Sequence, residues 1–169
     1  MPIRVRPVVS SRGCLLLAAT LGVTLGTLAA RADEGIADPC KLVTPEEVQL
    51  VLGTPVDRSS EVHVKDAVKF PVRICSFHGK NGKVLNVSTG VKTAADFATE
   101  WTGHDAIAEV GDAAFAVPPG VLVFHKGTST CKFQALNFDF ARDGHGRGYA
   151  DPALAAKLKT LALAAAARM

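Results

Sequence analysis

The chain lacks the residue patterns that announce metal, nucleotide or cofactor chemistry. Its five histidines, His63, His78, His104, His125 and His145, form no H-x-H, no H-E-x-x-H and no Cys/His metal spacing. The recognisable zinc signatures are thereby excluded, and no metal set is expected. The one glycine-rich segment, Asp143-Gly144-His145-Gly146-Arg147-Gly148, has neither a phosphate-loop nor a dinucleotide spacing, so no cofactor is expected. No short-period repeat and no low-complexity linker divides the sequence.

An excess of positive charge is missing too, once its location is considered. The formal +3 arises from 19 Lys and Arg against 16 Asp and Glu. Four of the arginines, Arg4, Arg6, Arg12 and Arg31, fall in residues 1–32, which hold no acid; residues 33–169 carry 15 basic and 16 acidic residues, net −1. Nothing in that balance favours nucleic acid or an anionic membrane surface as a partner. Residues 1–32 read as a cleavable signal peptide, with a basic start, an apolar run from Cys14 to Ala30 and an A-x-A site at Ala30-Arg31-Ala32. The run is near the lower limit for a membrane span and is broken by Gly22 and Gly26, which argues against a retained anchor. Cys14 opens the run, where an acylated cysteine would close it. The expected product is a soluble periplasmic or secreted domain, residues 33–169, with no membrane span. Its 137 residues include all eight Phe and the single Trp, enough for one core burying about two thirds of the unfolded surface.

What is present is mostly scaffold. The stretch Gly111 to Phe140 predicts three successive antiparallel strands in the middle of a sheet. Ala113–Val117 is followed by the break Val117-Pro118-Pro119-Gly120, then by the apolar run Val121–Phe124, and Lys126-Gly127 turns the chain into a third strand from Thr130. In that strand Cys131, Phe133 and Ala135 share one parity, whereas Leu136, Phe138 and Phe140 take the other. A bulge, or burial of different faces along the strand, accounts for the change, and both stay open.

Upstream, Thr44-Pro45-Glu46-Glu47 is a capping box opening a helix that Gly53 stops, with Val48, Val51 and Leu52 as its buried stripe. Strands are predicted over Glu61–Lys65, with Val62 and Val64 inward, over Phe70–His78, and over Val84–Val91. The second has apolar residues of both parities, Val72 and Ile74 against Cys75 and Phe77. Thr93 caps a helix whose Ala94, Phe97, Ala98 and Trp101 line one side, and Asp151-Pro152 starts a last helix lined by Leu154, Leu158, Leu161 and Ala165. The fold class is α+β, a mainly antiparallel sheet of about six strands in α-βββ-α-βββ-α order with helices packed on it.

Beyond the leader three cysteines remain, Cys40, Cys75 and Cys131, and an odd count leaves at least one outside an intramolecular pair. A Cys40–Cys75 disulfide would tie the approach to the first helix onto the sheet, leaving Cys131 a buried core thiol. A cross-strand Cys75–Cys131 pair is the alternative.

The run P-C-K-L-V-T-P-E-E-V-x-x-V-L-G-T-P-V at Pro39–Val56 resembles the opening of a family of small uncharacterised bacterial exported proteins, many of them surface lipoproteins. Cys75-Ser76-Phe77, Gly111-Asp112-Ala113-Ala114-Phe115, Lys126-Gly127 and the terminal Ala/Leu helix fit the same pattern. The resemblance spans about residues 38–166 and implies a domain of unknown function in the envelope or secreted space, with the first two mature cysteines paired. It brings no catalytic residues, and the absence of a lipobox here departs from its lipoprotein members.

Two constellations remain as candidate chemistry. Backbone amides with Asp143, His145 and Arg147 would make a ligand-binding lip at the sheet edge, or the segment is a plain connector. Cys131 with His125 across a hairpin would suit a small thiol-dependent hydrolase or other enzyme, although a mid-strand cysteine is expected to be buried. With no complete catalytic set, the sequence points to a non-catalytic envelope domain binding a protein partner or small ligand.

Overall fold

A computed structural model describes residues 36–64, 72–140 and 151–169. The predicted signal peptide and the loop bearing Asp143, His145 and Arg147 lie outside the described residues, as do Lys65 and Phe70.

Helix α1, Pro45–Leu52, begins as its sequence dictates. The Glu47 amide donates to Thr44 Oγ1 at 3.3 Å and the Thr44 amide donates to Glu47 Oε2 at 2.8 Å, so each satisfies a donor the helix start would leave open. It ends at Gly53, whose φ of 71° is the left-handed conformation glycine adopts without strain. Strands β1 (Val56–Val64), β2 (Val72–Gly79) and β3 (Val84–Val91) follow, then α2 (Ala94–Glu100). After it come β4 (Asp105–Ala106), β5 (Ala113–Val117), β6 (Val121–Lys126), β7 (Ser129–Leu136) and α3 (Pro152–Arg168).

All seven strands form one antiparallel sheet in the order β1-β2-β3-β7-β6-β5-β4. The α+β class and antiparallel sheet agree with the sequence reading, but the described residues form seven strands, in the order α-βββ-α-ββββ-α. The extra one, β4, has only two residues, too few to display a period. The strands of the Gly111–Phe140 stretch do not form the middle as a group. β7 lies at the centre beside β3, while β6 and β5 run out toward the edge.

Helices α1 and α3 share one face of the sheet. Cys75 and Phe77, Leu85 and Val87, Phe133 and Ala135, and Leu122 and Phe124 are in register there, and with Val48, Leu52, Leu158 and Ala162 they form one buried core. Each large side chain buried in this way contributes about 1.5–3 kcal/mol. The change of phase after Ala135 is neither a bulge nor a change of burial within the strand. β7 ends at Leu136, Asn137 turns left-handed at φ 62°, and its Nδ2 donates to the Gly82 carbonyl at 3.0 Å. Phe138 and Phe140 thus pack on the core from beyond the sheet. Gly120 is required for this: a Cβ there would come within 2.6 Å of the Phe140 ring.

The segment before α1 is strapped to the same face. Cys40 and Cys75 sulfurs lie 2.07 Å apart, at disulfide distance. Thr89 Oγ1 donates to the Ala37 carbonyl at 2.7 Å, and Arg73 reaches the Ile36 carbonyl, Asp38 and Glu61. The alternative Cys75–Cys131 pairing is barred by topology, because β3 separates β2 from β7. Glu61, opposite Cys75, is on this helical side and Val62 is 51% exposed on the other, the reverse of the expected inward valine. On that side Glu61 pairs with Arg73 of the neighbouring strand, which accounts for the polar residue there.

A bidentate ion pair closes the helical layer. Arg168, at the end of α3, donates from Nη1 and Nη2 to the two Glu47 oxygens, each at 2.7 Å, and Nη1 also reaches the Leu42 carbonyl. The Arg168 guanidinium holds the Glu47 carboxyl below its ordinary value, burial opposes this, and the Thr44 amide adds to the fall. A lowered folded value means the unfolded chain takes up this proton first as pH falls. The pair's stabilisation is therefore full above about pH 4.5 and fades as pH drops through the lower folded value. Arg168→Met should flatten this acid limb. Urea midpoints measured from pH 7 to 3 should converge for the two proteins at the acid end.

Candidate functional site

The opposite face of the sheet has different cover. Only α2 packs on it among the described elements, and it does so through Phe97, which is 2% exposed while Ala94 and Ala98 are exposed. The predicted apolar stripe of this helix thus narrows to Phe97 and the half-buried Trp101. Phe97 lies 5.8 Å from the Phe115 ring and 5.3 Å from His125, centroid to centroid. His125 is 2% exposed, and its Nε2 is 3.0 Å from the Lys92 carbonyl. A carbonyl only accepts, so this nitrogen carries the proton, and the ring fastens the start of α2 to β6.

Beside this anchor is a cleft of about 220 Å³ between α2 and the sheet. Ile74 and Val123 form apolar walls, Phe97 and Trp101 approach from the helix, and Lys92, Lys132 and Glu100 supply charge. Gly90, buried between Val72 and Thr130 in the register, has no side chain to fill the floor. Lys92 is ion-paired with Glu100. Burial draws the Lys92 ammonium below its ordinary value; Asp96 opposes this, while Lys132 adds to the fall. Lys132 has no ion-pair or hydrogen-bond partner among the described residues.

Comparison with known protein families, curated proteins and solved structures finds no match. The site must be read from its own chemistry.

The candidate pair Cys131 and His125 is not brought together. In the β6–β7 ladder Phe124 faces Cys131 and His125 faces Thr130. Cys131 therefore points into the α1/α3 core and His125 toward α2, on opposite faces of the sheet. Burial alone raises the Cys131 thiol far above its ordinary value. Cys131 should resist an aromatic disulfide thiol reagent in the folded protein and react once urea unfolds it; rapid labelling of native protein would refute this placement.

The remaining histidines are dispersed: His63 on β1, His78 half-buried on β2, and His104 exposed, 5.8 Å from the Trp101 ring. Asp38, Cys40 and Glu61 do gather, with potential ligand atoms within 4.8 Å of one another. Cys40 is spent in the disulfide, and both carboxylates face Arg73. Burial pulls Asp38 upward, but Lys41, the Cys40 amide and Arg73 together leave it below its ordinary value. This is a charge network fixing the strap. A roomier groove of about 430 Å³ lies between α1 and α3 beside Leu50, Val51 and Leu161, but its polar members are ion-paired or exposed. The cleft under α2 is the better candidate. Its wall residues come from four strands and a helix, so no contiguous motif marks it. The available signal was the two-sided apolar pattern of β2.

Proposed function

We propose that this protein is an exported, non-catalytic domain of the cell envelope that binds a small ligand in the cleft under α2. The observation that carries this reading is the cleft itself: a hollow over Gly90, walled by apolar side chains and supplied with an uncommitted cation. Pockets that hold small molecules combine these same ingredients, a largely apolar lining with few polar groups. Export is supported by the signal-peptide pattern of residues 1–32 and by a cysteine pair suited to an oxidising compartment. The resemblance at Pro39–Val56 to exported envelope proteins supports it as well. No described helix is long and apolar enough to cross a membrane.

The molecule carries its own reporter. Trp101 is the chain's only tryptophan and lies in the cleft, so its emission should shift saturably on titration with 1-octanol, a small apolar probe. Gly90→Val, which places a side chain on the floor, should abolish the shift. Turnover of a substrate by the purified protein, lost on one substitution in the cleft, would replace this reading with an enzymatic one.

A further inference from the structure

Four side chains stand in a row straight across the cleft side of the sheet. The registers Ile74↔Ser88, Ser88↔Lys132 and Val123↔Lys132 place Ile74, Ser88, Lys132 and Val123 on four neighbouring strands, β2, β3, β7 and β6. The order is apolar, hydroxyl, ammonium, apolar. Directly opposed residues hold their Cβ atoms about 5 Å apart, which brings a serine hydroxyl and a lysine head group within reach of two oxygens on one small group.

The polar pair is uncommitted. Ser88 is only 8% exposed, lines the cleft and has no hydrogen-bond partner among the described residues. Its hydroxyl opens on the cleft and is not a fully buried orphan, since no buried side-chain polar atom among the described residues lacks a partner, so it is free to bond a ligand there. Its neighbour Lys132 likewise has no partner among the described residues, whereas the other lysine of the cleft, Lys92, is engaged by Glu100. Among the described residues, the lining therefore carries one uncompensated positive charge next to one hydroxyl open to the cleft.

We infer that the cleft selects a small apolar monocarboxylate, its carboxylate taken by Ser88 Oγ and Lys132 Nζ and its hydrocarbon portion lying against Ile74, Val123, Phe97 and Trp101. This rests on the cleft being the ligand seat and adds the chemical class. A single ammonium matches a monoanion; a phosphate monoester or dicarboxylate would bring charge that nothing in the lining balances. A volume of about 220 Å³ falls below the roughly 300–1,000 Å³ of pockets for drug-sized molecules, so the hydrocarbon part is short. A charge-assisted bond is about twice as strong as a neutral one, which makes the charged head group the discriminating feature.

Trp101 emission tests this with three probes of equal chain length: octanoate, 1-octanol and octylammonium. Octanoate should bind the wild-type protein about tenfold or more tightly than either of the others. Lys132→Met should bring octanoate down to the level of octanol and leave octanol unchanged, and Ser88→Ala should do so in part, with circular dichroism and melting curves matching wild type. Equal affinity for octanoate and octanol, or an octanoate preference that survives Lys132→Met, would overturn carboxylate selection while leaving the cleft a binding site. Failure of octanol to bind, or responses that persist in Gly90→Val, would remove the binding site and with it this inference.

Discussion

Replacing Cys40 and Cys75 together by alanine is expected to lower the unfolding free energy by about 3–4 kcal/mol. The two cysteines are 35 residues apart in sequence, and opening a loop of that length returns its closure entropy to the unfolded chain. Other ties on the strap cannot make up the difference. The contacts of Arg73 with Asp38 and Glu61 are partly solvated ion pairs, a kind that contributes about 0–1 kcal/mol each. Cys75 is fully buried, so alanine is the informative replacement; serine would add a buried hydroxyl of its own. Urea denaturation of the oxidised wild type against the double variant measures the effect. A loss under about 1 kcal/mol would mean that Arg73 and the Thr89–Ala37 bond hold the strap by themselves.

Truncating Phe133 to alanine should cost about 3–5 kcal/mol, the range for removing a large buried aromatic side chain. The ring is completely buried on β7, with Val87 and Leu122 opposite it on the two flanking strands and its centroid 6.2 Å from that of Phe124. A cavity there lies at the junction of the sheet with α1 and α3, where rigid neighbours on every side limit collapse. Against a typical total of about 5–15 kcal/mol, this one change removes a large share of the stability. Phe133→Leu should cost markedly less, and equal losses for the two variants would mean that ring volume is not what the site uses.

Elements with a local chemical signature were legible in the sequence. Thr44–Glu47 makes its capping box, Gly53 ends the helix, Thr93 accepts from the Asp96 amide, and Leu154, Leu158, Leu161 and Ala165 form the buried side of α3. Features set by neighbours distant in the chain were not. The first half of β1, Asp57 to Ser60, is exposed and polar, and its strand conformation comes from pairing of Arg58, Ser59 and Ser60 with β2, with Asp57 at a shift in register. A hydrophobic period could not reveal it. The opposite parity of Phe138 and Phe140 looked like an irregular strand because Asn137, where the backbone turns away, carries no marker beyond its tolerance of positive φ. The cleft was half legible. Val72 and Ile74 opposing Cys75 and Phe77 implied a sheet apolar on both sides, but Ser88 and Lys132 acquire meaning only when β3 and β7 align.

The strand order has a kinetic consequence. β1 to β3 form one meander and β4 to β7 another, each built from neighbours in sequence, and the β3–β7 ladder is the single seam between them. Each meander pairs neighbours in sequence, whereas the seam must bring together residues 38 (Val91 and Ser129) to 52 (Val84 and Leu136) apart before any contact rewards the search. Docking of the two halves along this line is thus expected to be the slow event in reaching the native state, and truncations at the seam, such as Val87→Ala, should slow refolding in stopped-flow measurements more than truncations within either meander. If the Glu47–Arg168 clasp forms only afterwards, Arg168→Met should speed unfolding and leave the refolding rate nearly unchanged.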